Sequence, residues 1–221
     1  MSTQGLAPLS KDFVDEHREN PLWETGNKTL YDLCERYPGH DQPAHIIAKI
    51  WLIGRAYGAS IERRRKVGNS KEGEFGNDQF YETKVVSEIK GSDIDQHLKI
   101  LRSTDVPTRQ ILEIHFRLMS IFKVISNLNK RSLASKYLHF HFPDHFFIYD
   151  SRATRAIKGI FRDAKKKYPK LPKQEKIDNE YEIFYQACKM LQGEIILHYN
   201  CKLSCREIDN LLLRWATEHG F

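Results

Sequence analysis

Cysteine is scarce in this 221-residue chain: Cys34, Cys188, Cys201 and Cys205 are too few and too scattered for a disulfide framework. Long apolar runs are missing, and no stretch approaches the ~18–20 residues that a membrane span requires. The opening residues MSTQGLAPLSKDF are polar and broken by Pro8. They carry neither the basic n-region nor the apolar h-region of a secretory signal, so the expectation is a protein of a reducing cytoplasm. Internal repeats and low-complexity tracts are absent. Extended patterning is nearly so: FFIY at 146–149 is the one convincing run, too short to found a sheet. What is present suffices for a folded domain, with 40% apolar, 11% aromatic and 29% charged residues. Lys and Arg number 35 against 29 acidic residues, and the net charge of +6 attracts polyanions without fixing a chemistry.

Helix signals dominate. Ser10 caps a short first helix to about His17, and Asn27 is read as the cap of a second, TLYDLCERY, stopped by Pro38-Gly39. Pro43 opens a third, whose residues Ile46, Ile50, Ile53, Tyr57 and Ile61 fall three and four apart as a buried stripe. A Gly- and charge-rich stretch, 68–77, reads as a mobile loop. Further helices are expected over about 78–90, 93–103, 108–127, 132–142, 150–167, 175–199 and 205–218. The last carries a capping box, Ser204-x-x-Glu207, ahead of Ile208, Leu211, Leu212 and Trp215. The expectation is all-α: one domain over 1–221, a bundle of about nine helices.

Residues 127–160 carry the chemistry. Lys136 sits among Leu133, Leu138 and Phe140 on a helix. A lysine near buried surface loses solvation, which lowers its pKa and supplies the neutral amine that a nucleophile needs. Phe140, four residues on, shares its face. Asp150 closes the extended link and opens the next helix, where a carboxylate accepts backbone N–H groups and stays ionised. A bare N-cap and a snorkelling lysine are the plain readings of the same residues.

This stretch resembles the helix-hairpin-helix DNA glycosylase superfamily, in which an apolar extended link delivers an aspartate to a helix N-terminus. FFIYDSRA is similar to that link, and Asp150 matches the aspartate. Ser135-Lys136-Tyr137-Leu138-His139-Phe140 resembles the lysine helix of the archaeal 8-oxoguanine glycosylase branch, and of bacterial anti-phage relatives that excise glucosylated hydroxymethylcytosine. The resemblance is specific over about 127–155. It implies that Lys136 attacks the sugar and Asp150 stabilises the developing positive charge, with Phe140 on one face of the flipped base and Trp215 on the other. The partner implied is double-stranded DNA with a modified base, met by a monomer needing no cofactor or metal. The usual hairpin Leu-Pro-Gly-Val-Gly is replaced by Asn127-Leu128-Asn129-Lys130-Arg131, a degenerate hairpin without glycine. Side chains such as Lys130 and Arg131 would then grip the phosphate, and the spacing from Lys136 to Asp150 leaves Lys130 as an alternative nucleophile.

Arg152, Arg155 and Lys158 flank Asp150 on one helix and are the better phosphate candidates; the runs Arg63–Lys66 and Lys165–Lys167 read as solvated surface. Trp51 is either core or a wall of the base pocket. His139, His141 and His145 lack the helical His–His–Glu spacing of a zinc site and read as satisfied or solvated histidines. Cys201 and Cys205 read as thiols, and Gly54-x-x-x-Gly58 as close helix packing. Three functions remain open: a DNA glycosylase with possible lyase activity, a non-catalytic nucleic-acid-binding module, and a metal-dependent nuclease or deaminase.

Overall fold

The computed structural model describes residues 9–63, 76–103 and 105–221. Among them there is no strand, and ten helices follow one another. These are α1 (Lys11–His17), α2 (Pro21–Arg36) and α3 (Pro43–Ala56). A continuous run, α4, joins Asn77–Gln79, a π-wound stretch Phe80–Val85 and Val86–Lys90. Then come α5 (Ile94–Ile100), α6 (Thr108–Ser126), α7 (Arg131–His141), α8 (Ser151–Asp163), α9 (Asn179–Tyr199) and α10 (Cys205–Glu218). They form an all-α bundle with one hydrophobic core. The predicted loop falls, over 68–75, outside the described residues, as do Arg64, Arg65 and Lys66 of the first basic run.

Two predicted caps form: Ser10 Oγ accepts from the Phe13 N–H at 3.1 Å, and Ser204 with Glu207 closes a reciprocal capping box. The start of α2 differs from expectation. It begins at Pro21, whose fixed φ suits the first helical position, and passes through Asn27. Asn27 instead accepts the Tyr57 hydroxyl at 2.5 Å. The α3 stripe ends earlier too. Tyr57 is the C-cap and Gly58 takes φ +60°, so Ile61 is buried from the following turn rather than from the helix.

α6 is the central helix, with Leu118 and Phe122 fully buried. Asn127 ends it in the left-handed conformation (φ 57°). A side chain that tolerates this conformation thus stands in the glycine-free turn before α7. Gly54 admits both neighbours at the end of α3: a Cβ there would stand 3.1 Å from Ser60 Cα and 3.6 Å from Leu133 Cδ1 of α7. Gly54 is therefore a packing device, whereas a Cβ on Gly58 would meet nothing within 4 Å and its part is the left-handed turn after α3.

The extended run Phe146 to Tyr149 is held by side chains instead of a partner strand. His139 Nδ1 donates to the Phe146 carbonyl at 2.7 Å, and the Tyr181 hydroxyl to that of Phe147 at 3.0 Å. The Tyr149 N–H donates to Ser135 Oγ at 3.0 Å. These three bonds pair two carbonyls and one N–H of a largely buried non-helical link, and they help to fix where Asp150 emerges.

Candidate active site

Asp150 caps α8. Its Oδ1 accepts from the Ala153 N–H at 2.9 Å, and its Oδ2 lies 3.8 Å from Lys136 Nζ. One carboxylate therefore serves two partners, a helix end and a cation. Lys136 is only 3% exposed. Its ammonium donates to Ser132 Oγ at 2.9 Å and to the Tyr57 carbonyl at 3.3 Å, and lies 5.8 Å from the centre of the Tyr57 ring. Burial lowers its pKa, opposed by the charges of Asp150 and Asp209.

Phe140 lies one turn beyond Lys136 on α7, against the same Tyr57 ring at 5.2 Å and against Tyr31 at 4.8 Å. The three rings surround the guanidinium of Arg206, from the first turn of α10. Arg206 Nη1 donates to Asp209 Oδ2 at 3.0 Å, and Nε to the Tyr31 hydroxyl at 3.0 Å. The Tyr31 hydroxyl donates to His139 Nε2 at 2.6 Å, and His139 Nδ1–H is already committed to the Phe146 carbonyl. The bond directions fix His139 as the neutral Nδ1–H tautomer. This histidine thus braces the aromatic box. Asp209 is buried at 2% exposure, and desolvation pushes its carboxyl up to about 6. A cavity of about 550 Å³ reaches Tyr31, Asn27, Arg206 and Asn210.

Tyr31, Tyr57, Arg206 and Asp209 were not singled out as site residues from the sequence. The available signal was the Arg206–Asp209 pair three residues apart, with Asp209 intruding on the apolar face of α10. A second polar cluster was missed as well. Lys49, fully buried, donates to the carbonyls of Tyr37 and Gly39, while His40 bridges Asp95 (2.6 Å) and the Tyr137 hydroxyl (2.5 Å). Its hydrogen bonds close on one another, and it holds the 37–41 turn onto α3 and α7.

Several predicted site residues stand elsewhere. Trp215 is fully buried, pressed on Gly159 of α8 and stacked on His219 with ring centres 3.8 Å apart, so neither face is open to a base. Trp51 is 43% exposed on the outer side of α3. Arg131 is engaged by Asp178 through two bonds (2.5 and 2.9 Å) and by Glu180 at 2.7 Å, an ion-pair network that removes it from the phosphate candidates. Lys130 Nζ donates to the carbonyls of Ser60 and Arg63. Arg152, Arg155 and Lys158 do line one exposed face of α8, although Arg152 also donates to Thr217 Oγ1 at 2.7 Å. His145 meets the Leu101 carbonyl at 3.1 Å, and His141 lies half-buried beside the rings of His40 and Tyr137. Among the described residues no three His, Cys, Asp or Glu side chains are grouped to hold a metal ion.

The buried histidines give a pH dependence. Burial pushes His115 down to about 4 and His139 down to about 3, below the ~6.5 of an unfolded histidine. The unfolded chain then binds protons that the folded one refuses, so stability is complete above about pH 6.5 and is lost as pH falls toward 4. Asp209, displaced upward to about 6, works the other way, losing stability as pH rises from about 4 to 6; the two histidines together are displaced further. Urea unfolding is expected to show a lower midpoint at pH 4.5 than at pH 7. Equal midpoints would mean that these rings are not buried neutral.

Among the described residues no helix is long and apolar enough to cross a membrane. Comparison with protein-family models, with curated proteins and with solved structures gives no match.

Proposed function

We propose that this chain is a DNA glycosylase that excises a modified base and uses Lys136 as its nucleophile. The observation that carries the reading is the meeting of a buried amine with a helix-capping carboxylate, Lys136 Nζ to Asp150 Oδ2 at 3.8 Å, beside a box of aromatic rings. Each part has a task. The rings stack a base taken out of the duplex, which offsets part of the few kcal/mol that flipping costs. Asp150 faces the sugar as the C1′–N bond breaks and positive charge grows there, the role carboxylates play beside oxocarbenium-like states. Lys136, in its neutral form, attacks C1′; the base leaves with the bonding electrons, and opening of the sugar gives an imine. β-Elimination from that imine cuts the strand. Burial favours the neutral amine, and the neighbouring carboxylates limit how far.

The substrate is double-stranded DNA, held by a monomer in the cytoplasm, with phosphates met by the α8 face of Arg152, Arg155 and Lys158. The modified base is 8-oxoguanine or a bulky cytosine such as glucosylated hydroxymethylcytosine, for which the 550 Å³ cavity beside Tyr31 offers room. The test incubates the protein with duplexes carrying 8-oxoguanine, uracil, hydroxymethylcytosine or its glucosylated form, and measures released base by mass. Release from one of them, resistant to chelators, is the expected result. No release from any would remove the enzymatic reading and leave a DNA-binding module.

A further inference from the structure

The aromatic box is not empty. The Arg206 guanidinium carbon lies 5.4 Å from the centre of the Phe140 ring, 5.7 Å from Tyr57 and 5.8 Å from Tyr31. A guanidinium is flat and stacks on aromatic faces, as a nucleobase does. Its hydrogen bonding is incomplete. Nε and Nη1 are used, but Nη2 is buried without a partner, and so is Asp209 Oδ1. An arginine placed solely as a brace would be expected to use its donor fork more fully, because each buried unmatched donor costs about 1–3 kcal/mol. Arg206 also forms part of the wall of the cavity, which is lined as well by Glu19 and Glu24, by the pair Lys28–Asp32 and by the pair Arg18–Glu207. There is space beside the box, with the carboxylates of Glu19 and Glu24 on its lining, to receive a displaced guanidinium.

We infer that Tyr31, Tyr57 and Phe140 form the stacking slot for the flipped base, and that Arg206 fills this slot in the DNA-free protein and swings into the cavity when the base comes in. Arg206 is then a gate, and Tyr57 and Tyr31 are base-contacting residues alongside Phe140. The uncovered Asp209 carboxylate would be left facing the base. The inference rests on the glycosylase reading for the identity of the ligand as a base. The slot itself is testable without any base release.

The test compares wild type with the double variant Arg206→Ala/Asp209→Ala, which removes both buried charges together, and with Tyr57→Ala added to it. The probes are free deoxycytidine and deoxyguanosine, followed by saturation-transfer NMR. The double variant is expected to bind them at least 10-fold more tightly than wild type. Loss of Tyr57 should weaken that binding roughly 10- to 100-fold, the range for one stacked base. Nucleoside binding unchanged between wild type and the double variant would overturn the inference, as would binding indifferent to Tyr57. Where the double variant does not unfold cooperatively, the wild-type Arg206 Nε–H resonance in an arginine-labelled sample decides. Its ring-current shift should collapse as either nucleoside is added, and a shift constant to the highest concentration would overturn the slot. Slot binding with no base release from any duplex would sink the glycosylase reading alone; base release with no slot effect would sink the slot alone.

Discussion

On the proposed glycosylase mechanism, Asp150→Asn is expected to lower base release about 100- to 1,000-fold while leaving the fold in place. The two halves of that result come from the two oxygens of one side chain. Oδ1 caps α8 through the Ala153 N–H, and asparagine caps a helix as well as aspartate does, so the helix start survives. Oδ2 faces Lys136 at 3.8 Å, and there the substitution removes a full negative charge from the place where the sugar turns cationic. A second consequence follows at Lys136. Asp150 is the largest influence holding the lysine pKa up against burial, so in the variant the amine becomes neutral at lower pH. Residual activity should therefore show its acidic, ascending limb displaced to lower pH. Melting temperature and single-turnover rates on the active duplex check the prediction. A rate within twofold of wild type, with melting unchanged, would make Asp150 a cap and nothing more.

Trp215→Ala costs about 3–5 kcal/mol of stability, a drop of roughly 10 °C in melting temperature for a chain of this size. The indole is fully buried between α8 and α10. A Cβ built on Gly159 would come 2.2 Å from its Cη2 atom, so the two helices approach as they do because position 159 has no side chain. His219 stacks on the ring at 3.8 Å and Phe221 lies beyond it at 5.7 Å. Truncation empties a space that rigid helices cannot collapse to fill. Gly159→Ala should destabilise in the same direction, since a rigid ring bound on both sides has nowhere to go. At temperatures where the Trp215→Ala protein is folded, its affinity for the substrate duplex should match wild type. A base-stacking tryptophan would give the converse, near-normal stability with affinity reduced, and that pattern would return Trp215 to the site.

The contrast between these two residues shows which parts of the site were legible in the sequence. Asp150 carried local information: an aspartate ahead of a helix, after an extended apolar link, caps that helix. Lys136 and Phe140 are four apart, so their shared face followed from helix geometry, and both do meet Tyr57. The Ser10 cap and the Ser204–Glu207 box were legible for the same reason. Trp215 was not, because an aromatic on an apolar stripe has the same pattern whether its ring packs on glycine or on a ligand. Arg131 was misjudged because its partners, Asp178 and Glu180, lie on a distant segment. Tyr31 and Arg206 stand 175 positions apart in sequence and are bonded in space, and no local pattern announces that pairing. Asn27 was read as a cap because Asn is a good one; the competing signal, Pro21 six residues earlier, won the helix start, and a tyrosine from the end of α3 took the amide. Local chemistry was readable, whereas the walls of the site, assembled from α2, the end of α3 and α10, needed the fold.

The central claim is that the Lys136 amine attacks the sugar. Borohydride added during turnover on the active duplex would reduce the imine to a stable protein–DNA link, and digestion followed by mass spectrometry would locate it. The account predicts the adduct on the peptide bearing Lys136 and its disappearance in Lys136→Gln. Base release with no adduct, or an adduct on Lys130, would contradict it.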